Sequence, residues 1–132
     1  MSREPILAEA SIGQIAINVK DLPRATKFYR DKLGVTFLFD AGTMCFFDSG
    51  GVRLMLGLAE KKEFDHPSSI VYFRVQGIQS VYERLTAIGV SFVSEPNMVA
   101  PMPDHDLWMA FFHDSEGNTL AIMSEEPKAG RS

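Results

Sequence analysis

An internal repeat restricts the possible folds of this chain more than any other feature. The segment Ile15–Phe37 resembles the segment Ile70–Phe92. In each copy an apolar alternation changes to helical spacing and then to a second apolar segment, which predicts a strand, a helix and a strand. Further along the chain, segments 48–56 and 114–122 also resemble each other. The sequence therefore predicts two copies of one structural unit.

The turns DSGG and DSEGN in the later segments are typical of β-hairpins, because Asp and Ser bond their own backbone and Gly adopts positive φ. Each copy then has the order β-α-β-β-β. We predict an α+β fold in which two tandem βαβββ modules form a curled eight-stranded mixed sheet around a cavity. A length of 132 residues suits a single domain, 1–132, with module one at about 12–58 and module two at about 68–125.

The two helices have recognisable ends. Asp21 is suited to cap the first helix, Pro23 suits its first turn, and Gly34 is suited to end it. The second helix is predicted from about Gln79 to Ile88. We expect both helices to pack on one face of the sheet, which leaves the other face free for a cavity.

Composition and charge argue against several classes of function. Hydrophobic residues make up 45% of the chain, and the formal net charge is −4 without a basic cluster. We therefore expect no nucleic-acid partner and no membrane partner. The first residues lack the basic start and apolar run of a signal peptide, which predicts a cytoplasmic protein. Cys45 is the single cysteine and is expected to fill space in a strand.

Alternation along the strands predicts which side chains face the cavity. Those expected to do so are Gln14, Ala16, Asn18, Arg53, Met55, Ile70, Tyr72, Arg74, Thr119, Ala121 and Met123. The segment LWMAFF is apolar on both faces, so alternation does not decide its orientation. Its cavity face is assigned to Trp108, Ala110 and Phe112, the alternative being Leu107, Met109 and Phe111.

Three segments resemble the vicinal oxygen chelate superfamily, which includes glyoxalases, bleomycin resistance proteins and extradiol dioxygenases. They are IGQIAINVKDLPRATKFYRDKLG, IVYFRVQGI and FFHDSEGNTLAIM, and the last is similar to the family's DPDGN turn and closing strand. The resemblance covers residues 12–124. It implies paired modules around a small-molecule pocket that usually holds a divalent metal. It also implies a homodimer, because family members usually cover strand edges and the cavity mouth with a second subunit.

The metal donors of this family come from its first, fourth, fifth and eighth strands. By resemblance these positions are Gln14, Met55, Ile70 and Ala121. Only Gln14 carries an oxygen donor, and thioether or hydrocarbon side chains do not hold a hard divalent ion. We therefore predict that the usual metal is absent and that no other cofactor is needed.

His105 is the best of three histidines for acid–base chemistry, because the carboxylate of the preceding Asp104 can orient an imidazole. His66 is expected to be an exposed loop residue, and His113 is expected to be half exposed at a strand end. Tyr72 is a second candidate for acid–base chemistry. The segment that contains His105 is about eleven residues longer than its counterpart in the first copy. We expect this segment either to cover the cavity or to cover a sheet edge.

Together these features favour a glyoxalase-like or bleomycin-resistance-like protein that lacks the usual metal. It would bind a small aromatic or carboxylate-bearing molecule between modules that pair within one chain or across a dimer. The candidate ligand-binding residues are Gln14, Asn18, Arg53, Met55, Ile70, Tyr72, Arg74, Trp108 and Ala121. One alternative is a lyase or isomerase of the glyoxalase type, either metal-dependent or using His105 or Tyr72. Another is an interaction module whose own side chains fill the cavity.

Overall fold

The computed structural model describes residues 6–59 and 62–128, except for the side chain of Phe64. The strands in these ranges are β1 (Gln14–Asn18), β2 (Thr36–Asp40), β3 (Met44–Ser49), β4 (Val52–Gly57), β5 (Val71–Arg74), β6 (Ser91–Phe92), β7 (Asn97–Pro101), β8 (Asp106–His113) and β9 (Thr119–Glu126). The helices are α1 (Leu22–Lys27), which continues as a π-helical turn (Phe28–Lys32), and α2 (Ile78–Ala87), with a 3-10 turn at Lys62–Phe64.

The strands form two mixed sheets with the same connectivity. The first sheet has the order β1-β4-β3-β2, in which β1 is parallel to β4 and the other neighbours are antiparallel. The second sheet has the order β5-β9-β8-β6, in which β5 is parallel to β9. The α+β class and the repeated βαβββ unit are therefore confirmed.

The long segment of the second half explains why the strand count differs from the prediction. Residues Asn97–Pro101 form β7, which pairs antiparallel with β8, and the short β6 pairs with the other end of β8. The described residues thus form nine strands in two sheets, whereas one sheet of eight was expected. Of the two roles expected for this segment, the structure supports the covering of a sheet edge.

The sequence signals at the ends of the helices act as predicted. The Asp21 carboxylate accepts a hydrogen bond from the backbone N–H of Arg24 at 3.1 Å, which caps α1. The π-helical turn places the N–H of Leu33 3.0 Å from the carbonyl of Phe28, and Gly34 ends the helical segment with φ of 73°. No helix within 6–59 and 62–128 has the length and apolar character needed to cross a membrane.

One hydrophobic cluster joins both sheets and both helices. The alternation predicted for β1 and β4 is confirmed, because Ile17 and Leu54 are buried while Arg53 is exposed. Phe112 of the second sheet belongs to the same cluster and has no exposed surface. Cys45 lies in this cluster as well, and burial raises the pKa of its thiol, which fits a space-filling role.

The turn between β8 and β9 connects the second sheet to the first half of the chain. The hydroxyl of Tyr29 donates to the carboxylate of Asp114 at 2.7 Å, and both residues are buried. Burial and this neighbouring carboxylate raise the pKa of Tyr29 far above its usual range. In the same turn, Nδ2 of Asn118 donates to the carbonyl of Asn18 at 3.1 Å. The end of β1 is therefore held by the opposite half.

Glu116 makes three polar contacts with the first half of the chain. Its side chain is 7% exposed and accepts hydrogen bonds from the backbone N–H groups of Lys20 and Asp21. Nη2 of Arg24 donates to the same carboxylate at 2.6 Å. Burial alone would raise the pKa of Glu116, but these hydrogen bonds outweigh it, so the pKa lies below its usual range.

Candidate functional site

The open face of the first sheet lies opposite α1, which packs against β3 and β4. The strand register places Ala16 and Phe46 on either side of Met55, and Met44 beside Gly57. A Cβ atom at Gly57 would lie 3.4 Å from Cβ of Met44 and 3.7 Å from Cε of Met55, so the glycine leaves space between the two methionines. A cavity of about 390 Å³, here called the methionine cavity, covers this face. It is lined by Ala16, Asn18, Thr43, Met44, Met55, Gly57, Leu58, Ala59, His66, Ser68 and Ser69.

The segment between the two halves closes one side of the methionine cavity. The backbone N–H of Asn18 donates to Oγ of Ser68 at 3.0 Å, and Nδ2 of Asn18 donates to the carbonyl of His66 at 2.9 Å. Asn18 therefore holds this segment in place while forming part of the wall. A more polar cavity of about 530 Å³ adjoins the first, because it shares Asn18 and His66 and adds Lys20 and Glu116.

An arginine lies over an aromatic surface on the same open face. The guanidinium carbon of Arg53 is 5.5 Å from the centroid of the Phe46 ring, within cation–π range. The Phe39 ring lies 4.8 Å from that of Phe46 at an interplanar angle of 35°. Phe39 is 48% exposed, and Arg53 forms no ion pair with any described residue. We call these three residues the Arg53 shelf. It presents an aromatic surface and a cation that is available to an anion.

The open face of the second sheet is occupied by two aromatic rings. Tyr72 of β5 and Phe111 of β8 both pair with Ala121 of β9, one from each side. Ala121 has no exposed surface, whereas Tyr72 is 42% exposed. Ile70, just before β5, is 43% exposed on the approach to this face.

The predicted orientation of β8 is wrong. Trp108 packs against the hydrophobic cluster, and Ala110 and Phe112 belong to it, with 1% and 0% exposure. Pairing with β9 sets this orientation, because Ala110 lies opposite Ile122 and Phe112 opposite Leu120, two buried residues of β9. The residues of β8 that face the open side are Leu107, Met109 and Phe111.

The candidate ligand-binding residues are thus divided among several places. Asn18 and Met55 lie together in the methionine cavity, with Gln14 and Arg53 beside it on the same sheet. Arg74 lies at the end of β5, in a different cavity of about 300 Å³ that is also lined by residues 33–36 and by the end of β3. On the second sheet, Tyr72 and Ala121 lie on the open face and Trp108 on the core face, while Ile70 lies just before β5.

The positions that correspond to the family's metal donors do not fit a divalent ion. Nε2 of Gln14 is 3.8 Å from Sδ of Met55, so the amide faces a thioether. Ile70 offers only a hydrocarbon group, and Ala121 offers a methyl group that is buried. The described residues also contain no group of three or more His, Cys, Asp or Glu side chains placed to hold a metal. The absence of a metal stays a prediction.

His105 lies in the turn between β7 and β8, outside the methionine cavity. Its Nδ1 atom is 2.7 Å from Oδ1 of Asp104, and its Nε2 atom is 3.5 Å from Oε2 of Glu125. The hydrogen bond to His105 lowers the pKa of Asp104. The predicted pairing of His105 with its neighbouring carboxylate is therefore present in the structure, and Glu125 is an additional partner.

Several residues of the site were not anticipated from the sequence. Phe39, Met44 and Phe46 face the open side, and alternation along MCFFDS would have indicated the last two. No comparable signal exists for Ser68 and His66. Their position depends on hydrogen bonds to Asn18, about fifty residues earlier in the chain.

The family model described as the Glyoxalase/Bleomycin resistance protein/Dioxygenase superfamily matches residues 11–122. A glyoxylase-like domain-containing protein from Didymella fabae is 30% identical over 131 residues, which cover 93% of this chain and 100% of the relative. Both comparisons extend across the two repeats.

Comparison with solved structures gives the same fold. A member of the glyoxalase/bleomycin resistance protein/dioxygenase superfamily from Sphaerobacter thermophilus superposes with a TM-score of 0.71 and 26% identity, covering 88% of this chain and 98% of that one. Lactoylglutathione lyase from Agrobacterium tumefaciens superposes with a TM-score of 0.66 and 19% identity, covering 87% and 93%. At this low identity the likeness to the lyase shows the fold alone.

Proposed function

Because the chain belongs to the glyoxalase/bleomycin resistance protein/dioxygenase superfamily, we propose that it binds a small, partly apolar organic molecule without a metal ion at the family's usual site. The methionine cavity carries this proposal. Its volume of about 390 Å³ falls within the range of about 300–1,000 Å³ that is typical of small-molecule sites. Its walls combine the adaptable apolar surface of Met44 and Met55 with polar groups from Asn18, His66 and Ser68.

The Arg53 shelf supports an aromatic, carboxylate-bearing ligand. A planar ring can pack on the exposed Phe39, and a carboxylate can accept hydrogen bonds from the guanidinium of Arg53. Both groups lie on the open face beside the methionine cavity. A ligand with an aromatic ring and one carboxylate would therefore contact the shelf and extend into the cavity.

A lyase or isomerase reaction is the second candidate, and the contact between His105 and Asp104 favours it. A carboxylate that orients an imidazole is a common arrangement in general acid–base catalysis. His105, however, does not line the methionine cavity, and Tyr72, the other candidate, contacts the ring of Phe111. These positions support the binding function over the reaction.

Calorimetry combined with elemental analysis tests the proposal. The purified protein is titrated with benzoate and 4-hydroxybenzoate, and its content of Zn, Ni, Mn and Fe is measured in wild type and in Gln14→Ala. We expect saturable binding and the same substoichiometric metal content in both proteins. One equivalent of metal that is lost in Gln14→Ala, or that is needed for turnover of a hemithioacetal, would overturn the proposal.

We also propose that the protein is a cytoplasmic homodimer. Large apolar residues of β7 and the preceding loop support an association surface, since Val93, Met98 and Val99 are 60%, 47% and 52% exposed. Sedimentation equilibrium at micromolar concentration is expected to give twice the chain mass of 14.7 kDa. A mass equal to that of one chain would contradict the dimer.

A further inference from the structure

A cavity of about 450 Å³ lies between α1 with its π-helical turn and the end of the second sheet, and it shares no lining residue with the methionine cavity. We propose that this cavity binds the phosphate group of a small phosphate monoester. The groups suited to contact the anion are Arg24, Lys27, Lys32, Ser91, His113 and Ser115. This proposal is independent of the function proposed for the open face.

The cavity concentrates positive charge in a chain whose net charge is −4. Arg24, Lys27 and Lys32 follow the helical segment at spacings that place them on one side of it, and all three line the cavity. Neither lysine forms an ion pair with any residue in 6–59 or 62–128. The Nζ atom of Lys32 lies over the ring of Phe28 at 5.9 Å, a contact that leaves its N–H donors available.

The carboxylates in the cavity wall are already engaged with other groups. Asp31 accepts two hydrogen bonds from Arg30, at 2.8 and 3.2 Å, and these lower the pKa of Asp31. Asp114 is buried and accepts the hydroxyl of Tyr29 and Nδ2 of Asn118. The charge of Asp31 is therefore compensated by Arg30, whereas the oxygens of Asp114 are occupied by neutral donors. The two lysines remain the cations that an incoming anion would meet.

Ser115 provides a second and independent observation. Its Oγ atom is buried and has no hydrogen-bond partner among the described residues, although it belongs to the wall of this cavity. A buried hydroxyl without a partner is energetically costly, and rotation of the Ser115 side chain into the cavity would let a phosphate oxygen accept its hydrogen bond. The neighbouring strand end adds the hydroxyl of Ser91, which pairs in register with His113. Cations and hydroxyl donors thus converge on one space.

The volume favours an esterified phosphate over the free ion. A cavity of about 450 Å³ has the size of a site for a small organic molecule and leaves room beside the phosphate. The ring of Phe28 and the aliphatic stem of Lys32 offer apolar surface to the organic part. Phenyl phosphate is a suitable probe because it carries both parts.

Calorimetric titration at constant ionic strength tests this proposal with phenyl phosphate, inorganic phosphate and phenol. The variants are Lys27→Gln, Lys32→Gln and Ser115→Ala, and the matched control is Lys62→Gln, which removes an exposed lysine outside the cavity. We expect phenyl phosphate to bind saturably and each lysine variant to raise its Kd about tenfold. Ser115→Ala should raise the Kd about threefold without any change in charge, and Lys62→Gln should leave it unchanged.

The other results would overturn the proposal. Equal weakening by Lys62→Gln would show that the protein attracts anions through its general surface charge. If inorganic phosphate binds as tightly as phenyl phosphate, the site does not prefer a monoester. If phenol binds as tightly as phenyl phosphate, the site does not recognise the anion. If phenyl phosphate shows no saturable binding, the cavity is not a phosphate site. The lysine variants separate this site from the methionine cavity, because Lys27 and Lys32 do not line that cavity and binding of phenyl phosphate there would be unchanged in both variants.

Discussion

Tyr72 and Phe111 meet edge to face above Ala121, with ring centroids 5.9 Å apart and an interplanar angle of 75°. The two residues belong to strands on opposite sides of β9, so their rings reach each other only because the intervening side chain is a methyl group. The position that corresponds to a metal donor in related proteins is thus closed by an aromatic pair. The contact between the two rings therefore determines the shape of the open face of the second sheet.

We predict that Ala121→Leu destabilises the protein by about 1–3 kcal/mol, because a larger side chain at a position without exposed surface forces the two rings apart. Urea denaturation measures the free energy of unfolding. The control is Ala16→Leu, since Ala16 is exposed at the methionine cavity and the same change there is expected to cost less than about 0.5 kcal/mol. Equal effects of the two variants would contradict the aromatic contact as the cause.

We predict that the carboxylate of Glu116 stabilises the protein in a pH-dependent manner. Its pKa is lower in the folded chain than its ordinary value of 4.5, so its contribution is present above that value and is lost as pH falls through the folded pKa. Glu116→Gln should cost about 1–3 kcal/mol at neutral pH and progressively less as the pH falls below the ordinary value of 4.5. Glu83→Gln, at an exposed position of α2, is the control and should show a small difference at both pH values. A pH-independent loss in Glu116→Gln would count against this mechanism.

We predict that Arg53→Ala weakens binding of benzoate about tenfold, because it removes the cation of the Arg53 shelf. Arg74→Ala is the matched control. It removes the same charge from a strand of the second sheet, outside the methionine cavity, and should leave the affinity within twofold. Isothermal titration calorimetry distinguishes the two variants. If Arg74→Ala weakens binding as much as Arg53→Ala, the carboxylate is attracted by net charge and not by the shelf.

We predict that Trp108→Ala lowers the free energy of unfolding by about 3 kcal/mol without changing the affinity for benzoate, since its ring packs against the core. Met109→Ala, one residue further on the same strand, truncates a side chain on the open face and should cost about 1 kcal/mol. Thermal unfolding and titration of both variants test the orientation of β8. A stable Trp108→Ala protein with lost affinity would place the indole at the ligand.

The fold could be predicted from the sequence because its two units repeat the same alternation and the same turn signals. In β4, leucines alternate with Arg53 and Met55, so only one orientation buries the apolar set. Asp21 and Gly34 likewise mark the ends of the first helical segment through their own chemistry. In such segments the local pattern and the tertiary packing agree.

The orientation of β8 could not be predicted in this way. Both faces of LWMAFF are apolar, so the pattern does not indicate which face of the strand is buried in the core. The direction follows from pairing with Leu120 and Ile122 of β9, which belong to the hydrophobic cluster together with Ala110 and Phe112. The position of His66 and Ser68 over the first sheet is also a long-range effect, since Asn18 holds them.

The edge strand β7 limits how copies of this chain can associate. A bulge between Met98 and Ala100 interrupts its register with β8, and Pro101 lacks the N–H that an added strand would need. The exposed Val99 therefore sits on an edge that is a poor template for intermolecular β-sheet growth. Contacts between copies along this edge are restricted to side-chain packing, which protects an apolar surface from fibrillar aggregation.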